Sequence, residues 1–254
     1  MNQKFGLMAG AAMVLVAGSA HAQELSVTAG GGYSSGDYGS SRSTRMANGS
    51  IGARWTSGGT TVTASIPYVA IDTPGVVLAG FDGTPLVMVA DLGGRRRSHD
   101  GVGDPTFAVS QEVPVGSASL RGTWRIKVPV QGFNGVSTGK VDWSVSGEVS
   151  RPLGAVTPFV AVSYRVFGNP TSWTIRDGFA GSAGVSAPVG RGALAVSYEV
   201  ARSPSDFVRN SHEIVGVYNL PVAKNRMRLG VFGTAGLSSG APAAGGGLRL
   251  SVRI

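Results

Sequence analysis

The sequence contains no cysteine, which removes disulfides and thiolate metal sites from consideration. That absence does not locate the chain, because many β-folds need no disulfide. Charge is also scarce, at 14% of residues. Apart from one stretch at the N-terminus, no apolar run approaches the roughly 18 residues of a membrane-crossing helix, so spanning helices are not expected. Histidine is rarer still, with three in 254 residues. Two of them, His99 and His212, lie beyond the N-terminal segment and stand apart in sequence. Isolated histidines make a poor metal site, and no local motif sets a nucleophile beside an oriented base. The expectation is a protein that is not an enzyme and carries no cofactor or metal.

Glycine is abundant, at 40 residues, and the hydrophobic share is 42%. Without a Gly-X-Y period the glycine excludes collagen, and the apolar content is too high for a disordered chain. The formal charge of +8 invites a nucleic-acid reading, but the basic residues are scattered singly. Arg95-Arg96-Arg97 is the one cluster, so nucleic acid is not the expected partner. Residues Met1 to Ala22 read as a secretory signal. Lys4 supplies its charge, Phe5 to Ala17 its apolar centre, and Ala20-His21-Ala22 its small-x-small cleavage site. Residues 23–254 then form one domain, since no linker or shift in composition divides them.

Strict alternation in Gly247-Leu248-Arg249-Leu250-Ser251-Val252-Arg253-Ile254 organises the rest. A strand there puts Leu248, Leu250, Val252 and Ile254 on one face and Arg249, Ser251 and Arg253 on the other. Such a strand suits one face in lipid and one in water. Four quartets recur at hairpin spacing: Val113-Pro114-Val115-Gly116, Arg151-Pro152-Leu153-Gly154, Ala187-Pro188-Val189-Gly190 and Leu220-Pro221-Val222-Ala223. Proline lacks a ladder donor and presets a turn, so each quartet reads as a tight reversal. With these fixed, about twelve strands fit, near 23–33, 44–56, 60–70, 103–113, 118–130, 139–150, 156–167, 178–188, 193–202, 211–220, 226–236 and 245–254.

Several strands alternate cleanly. Leu120, Trp124, Ile126 and Val128 oppose Arg121, Thr123, Arg125 and Lys127, while Val141, Trp143, Val145 and Val149 oppose Asp142, Ser144, Ser146 and Glu148. Val215 and Val217 fall on a face otherwise assigned inward, leaving their strand ambiguous. Tyr33, Tyr68, Phe167 and Phe179 near one set of strand ends, with Trp55 and Tyr218 near the other, match two aromatic girdles. A soluble sandwich is the alternative, but its strands are shorter and its wet faces need no mid-strand charge of both signs. The expected fold is all-β: a transmembrane antiparallel up-and-down β-barrel of about twelve strands, with short periplasmic turns and longer extracellular loops. Its expected place is the outer membrane of a Gram-negative bacterium.

Specific motifs extend this reading. Ser65-Ile66-Pro67-Tyr68, then Gly101-Val102-Gly103-Asp104, then Ser137-Thr138-Gly139-Lys140-Val141-Asp142 occur in that order. The chain thereby resembles the outer-membrane barrel family named for the MetA pathway of phenol degradation. The resemblance implies a barrel in the outer membrane that passes hydrophobic or aromatic compounds.

The candidate solute path is the set of charges expected inside the barrel. Arg121, Arg125 and Lys127 face Glu112, Asp142 and Glu148 on adjacent strands, an arrangement that stiffens a lumen. Arg165, Arg228, Arg249 and Arg253 have few obvious acidic neighbours, and unpaired guanidiniums along a wet path favour anions. The segment from Asp72 to Asp100 is the longest irregular one. It is expected as an extracellular loop, with inward folding as the alternative, and Arg95, Arg96 and Arg97 are candidates for lipopolysaccharide phosphates. Gly30-Gly31-Gly32 and Gly245-Gly246-Gly247 precede no helix and are expected to serve close packing or strand bending. Expected partners are outer-membrane lipid and lipopolysaccharide, small solutes, and the barrel-assembly machinery that reads a last strand of this kind. The leading functional expectation is passive passage of small solutes. A closed structural or surface-binding barrel acting through its loops is the alternative, and a barrel lipid hydrolase the least favoured.

Overall fold

A computed structural model describes residues 23–130, 136–170, 174–223 and 226–254. The leader expected at residues 1–22 lies outside the described residues. Fifteen strands follow one another: β1 (Glu24–Gly36), β2 (Thr44–Ser57), β3 (Thr60–Thr73), β4 (Val76–Ala79), β5 (Pro85–Val89), β6 (Arg97–Val102), β7 (Thr106–Val115), β8 (Ala118–Lys127), β9 (Asp142–Ser150), β10 (Thr157–Val166), β11 (Gly178–Val189), β12 (Gly192–Ala201), β13 (Ser211–Val222), β14 (Met227–Gly236) and β15 (Ala244–Arg253). No α-helix occurs among the described residues, and a single 3-10 turn, Phe81–Gly83, joins β4 to β5.

Thirteen of these strands make one antiparallel sheet in the order β2-β1-β15-β14-β13-β12-β11-β10-β9-β8-β7-β3-β6. A further pairing of β2 with β3 closes it into a barrel. β7 pairs with residues 60–65 of β3 and β6 with residues 68–73, so β6 and β7 are two lengths of one strand interrupted at residues 103–105. The wall is therefore a closed twelve-stranded barrel, as alternation had indicated, and closure leaves no sheet edge unpaired. At the break Gly103 N–H donates to Pro67 O over 2.8 Å, which keeps the backbone satisfied across the gap.

Side chains divide as the period of two requires. Val27, Ile51, Ile66, Trp124, Val145, Val160 and Val196 cover the outer wall and are exposed there. Serines, threonines, glycines and charges face inward. Tyr33, Tyr68, Phe179 and Trp55 lie on the outer wall near strand ends, where girdles were expected. Phe167 does not: it points inward and is buried against Phe81, 6.4 Å between ring centroids. Its parity with Arg165, rather than its place near a strand end, decides its direction.

The two glycine triplets meet across the β1–β15 ladder, where Gly32 pairs with Gly247. A Cβ on Gly247 would sit 2.7 Å from the Phe232 ring, and one on Gly32 would sit 2.9 Å from it. The glycines thus leave the room in which that ring lies flat against the inner wall. Tight reversals at the quartets use a left-handed residue, Gly116 (φ 59), Gly154 (φ 65) and Gly190 (φ 58), but the fourth uses Ala223 (φ 50). An L-residue is disfavoured there. Ala223→Gly is expected to stabilise the folded barrel by about 0.5–1 kcal/mol, read as a higher urea midpoint of tryptophan emission. An unchanged or lower midpoint would mean that the turn carries no such strain.

The hydrophobic core sits at one end. Tyr38, Met46, Val69, Ile71, Val77, Ala79, Val87, Val136 and Val208 form one buried cluster. Leu78, Phe81, Leu86, Met88, Phe167 and Ile175 form another. Both centre on the β4–β5 hairpin, which pairs only with itself. The segment 72–100 does not extend away from the barrel as expected. Its hairpin, residues 76–89, folds inward, because Val77, Ala79 and Val87 find inward-facing Val69 and Ile71 to bury against, while Leu78, Leu86 and Met88 pack with Phe81, Phe167 and Ile175; residues 97–100 belong to the wall strand β6. Burying one such side chain contributes about 1.5–3 kcal/mol, enough over several to outweigh the freedom of an open loop.

Candidate functional site: a hairpin-capped, arginine-lined lumen

The hairpin's tip is tied to three wall strands. Asp82 accepts a hydrogen bond from Ser65 Oγ at 2.7 Å and lies 3.4 Å from Arg125 Nη1. Its backbone N–H donates to Thr106 Oγ1 over 3.4 Å. The Arg125 guanidinium also lies over the Phe81 ring, 5.9 Å from its centroid, within cation–π range. Asp82 itself is left-handed (φ 53), held so by these contacts and by Gly83 packing on Pro67 and Val69.

The hairpin's flank rests on a buried charge cluster. Lys127 Nζ lies 2.7 Å from Asp142 Oδ2 and 3.4 Å from Asp104 Oδ2, and it donates to Thr138 Oγ1 (3.3 Å) and to Ala79 O (3.4 Å) on β4. Ala79 N–H donates to Val136 O at 2.7 Å, so both backbone groups of this hairpin residue are held. Ser137 Oγ donates to Asp104, and Gly168 N–H donates to Asp142 Oδ1 at 2.9 Å. Lys127 and Asp142 are fully buried. The three sequence motifs therefore converge: Pro67 under the hairpin tip, Asp104 at the strand break, and Ser137, Thr138 and Asp142 around Lys127. Sequence alone set Lys127 and Asp142 in the solute path; the structure seals both beneath the hairpin. Lys127→Met leaves two buried carboxylates unpaired and is expected to cost about 3–5 kcal/mol, measured as the fall in urea midpoint. A change within error would mean that this cluster does not hold the fold.

The hairpin's base is clamped in the loops. Arg42 Nε donates to Asp91 Oδ2 at 2.8 Å, Arg42 Nη1 donates to Gly94 O at 2.7 Å, and Ser40 Oγ donates to Asp91 Oδ2 at 3.0 Å. The Arg42 guanidinium, helped by Gly93 N–H, holds the Asp91 carboxyl well below the usual carboxylate range. This clamp therefore remains ionised at neutral and mildly acidic pH. Across the mouth, Ser205 Oγ donates to Met88 O at 2.5 Å. Of the three consecutive arginines, Arg96 pairs with Asp72 at 2.8 Å and donates to Ser43 O at 2.9 Å. Arg95 and Arg97 are exposed and make no ion pair among the described residues.

Beside and below the hairpin lies a lumen cavity of about 730 Å³. Arg125, Arg165, Glu199, Glu213, Asn48, Asn219, Phe232 and Arg249 line it, with Val215 and Val217. The ambiguous valines thus face inward. Alternation carries the same inner face past the cavity to Arg54, Arg121, Arg228 and Arg253 near the tight-turn end. Of the expected path residues there, Arg121 is paired with Glu112 (2.5 Å) and Glu148 (3.6 Å), forming the cross-strand network. Arg253 was expected to lack an acidic neighbour, but it lies 2.7 Å from Glu24 of β1. That neighbour comes from barrel closure, which brings the first strand against the last.

Arg165, Arg228 and Arg249 make no ion pair or side-chain hydrogen bond among the described residues. Sequence reasoning missed a fourth, Arg54 on β2, which stands within electrostatic reach of Arg249, Arg228 and Arg121. The signal was available, since Arg54 alternates with outward Trp55. Arg165 has acid within electrostatic reach, from Glu199 and Glu213. Those two glutamates are register partners on β12 and β13. The inner wall thus carries acid at the cavity beside Arg165, and arginine without an ion pair from Arg249 on the cavity wall down to the tight-turn end. His212, one of the two histidines beyond the N-terminal segment, points to the outer wall, its Nδ1 2.5 Å from Tyr198 Oη.

The sequence matches no family model and no curated protein, so the resemblance to the phenol-degradation family stands without a match behind it. Solved structures do match. An outer membrane channel from Pseudomonas putida F1 superposes with a TM-score of 0.67, covering 93% of this chain and 98% of that one at 11% identity. The translocator domain of the autotransporter NalP from Neisseria meningitidis gives a TM-score of 0.51, covering 94% of this chain and 91% of that one at 12% identity. Likeness at such identities bears on fold. The chain has the closed antiparallel barrel architecture of bacterial outer-membrane proteins.

Proposed function

We propose that this protein is an outer-membrane channel that passes small solutes passively, biased toward anions and restricted by its inward hairpin. The observation that carries the reading is the set of arginines without an ion pair among the described residues, Arg54, Arg228 and Arg249, which runs along the inner face from the cavity wall toward the tight-turn end. A guanidinium without a carboxylate partner presents fixed positive charge to a passing anion, and low-dielectric walls concentrate its field. The outer wall's apolar cover fits insertion in lipid. The likeness to the Pseudomonas channel supports passage in general, and no catalytic arrangement among the described residues favours a hydrolase. Exposed Arg95 and Arg97 fit phosphates of lipopolysaccharide at the loop end, and β15 fits recognition by the barrel-assembly machinery. Passage of aromatic or hydrophobic compounds, which the family resemblance implies, finds less support in an inner face that carries these arginines.

A specific feature favours the second reading, a closed barrel acting through its loops: the hairpin and its two clusters fill the loop-end mouth. Swelling of liposomes holding the refolded protein separates the two. Faster swelling in potassium gluconate than in an uncharged sugar of equal size is the expected result. No swelling in either solute, from a barrel shown to be folded, would favour the closed reading.

A further inference from the structure

Beside the unpaired arginines the lumen carries a feature that simple anion conduction does not use. Val217 pairs in register with Phe232 across β13 and β14, and Val215 stands two residues away on the same inner face. All three line the cavity. Phe232 lies against glycine backbone of β1 and β15, so its ring rests along the wall rather than across the path. An apolar trio on the inner face of a barrel costs free energy unless something apolar covers it. The trio adjoins polar groups suited to an anionic head. Arg249 pairs with Gly230, and Gly230 pairs with Asn219, so both side chains stand one step along the wall from the ring. The glycine between them leaves the head group room to reach either.

Resting on the anion-channel reading, we infer that this wall is a binding station for monovalent organic anions with a short apolar body, such as aliphatic carboxylates. The carboxylate is taken by Arg249, with Arg228 and Arg54 beyond it toward the tight-turn end. The apolar body lies along Val215, Val217 and Phe232. The ring and the two-valine stripe span a few methylenes, so affinity rises with chain length and then levels off. Inorganic anions use the arginines alone.

The test is block of chloride current through single refolded barrels in a planar bilayer by acetate, butyrate and hexanoate. The concentration for half-block is expected to fall roughly tenfold from acetate to hexanoate, the gain of partly covering a few methylenes. Phe232→Ser is expected to abolish that dependence. Val217→Thr, which keeps side-chain shape, is expected to weaken it and serves where the first variant fails to fold. Equal block by acetate and hexanoate, with anion selectivity intact, would overturn this inference alone. Chain-length dependence surviving in both variants would overturn its placement on this wall. Loss of anion selectivity in the unmodified protein would remove the channel reading and this inference with it.

Discussion

Replacing residues 76–89 with a short glycine–serine linker is expected to raise single-channel conductance severalfold. The β4–β5 hairpin pairs only with itself, so its removal takes no hydrogen bond from the barrel ladder. What it takes is the body of both buried clusters: Val77, Leu78, Ala79, Phe81, Leu86, Val87 and Met88. The loop-end mouth then opens onto the cavity beneath. The cost falls on stability, since inward-facing Val69 and Ile71 would meet water, about 1.5–3 kcal/mol for each. A lighter change reaches the same question. Ser65→Ala with Asp82→Asn removes the tip's hydrogen bond and its ion pair to Arg125 while keeping the apolar packing. That variant is expected to flicker between two current levels rather than conduct steadily. Unchanged conductance in both variants would mean that solute bypasses the hairpin.

Arg54→Glu, Arg228→Glu and Arg249→Glu together are expected to invert the sign of the reversal potential under a salt gradient. These three make no ion pair among the described residues, Arg54 having only Glu24 within electrostatic reach, so reversing them changes the lumen's fixed charge by six units without breaking an ion pair. Arg125 is a poor choice for this purpose. It holds Asp82 at the hairpin tip, so reversing it would confound selectivity with gating. Arg253 is equally poor, because its partner Glu24 already offsets it. Screening shortens the reach of such charges, so the inversion is expected to be larger at low salt. A triple variant that stays anion-selective would place the selectivity elsewhere, most plainly at Arg165.

The barrel was legible because its signals are local and periodic. Alternation in β8, β9 and β15 and the four proline quartets fix strands, faces and reversals within a few residues of each. The partners inside the barrel were less so, because closure brings together residues far apart in sequence. Glu24 against Arg253, and Arg54 beside Arg228 and Arg249, follow from β1 joining β2 to β15. The hairpin defeated sequence reasoning for a different reason. Its apolar runs are short, and periodicity alone does not tell a loop hairpin from one buried in a lumen. Polar motifs around Lys127 were seen as family marks, while their work of seating the hairpin appears only when Asp104, Thr138 and Asp142 are brought together. Phe167 shows the same limit in one residue, where nearness to a strand end suggested a girdle and the inward parity decided otherwise.

The most direct test of the arginine-lined, hairpin-capped lumen is the reversal potential of the unmodified protein in a planar bilayer under a potassium chloride gradient. The account predicts small, discrete current steps whose reversal potential has the sign of chloride preference. Discrete steps with potassium preference would contradict it, because the unpaired arginines would then not govern the path.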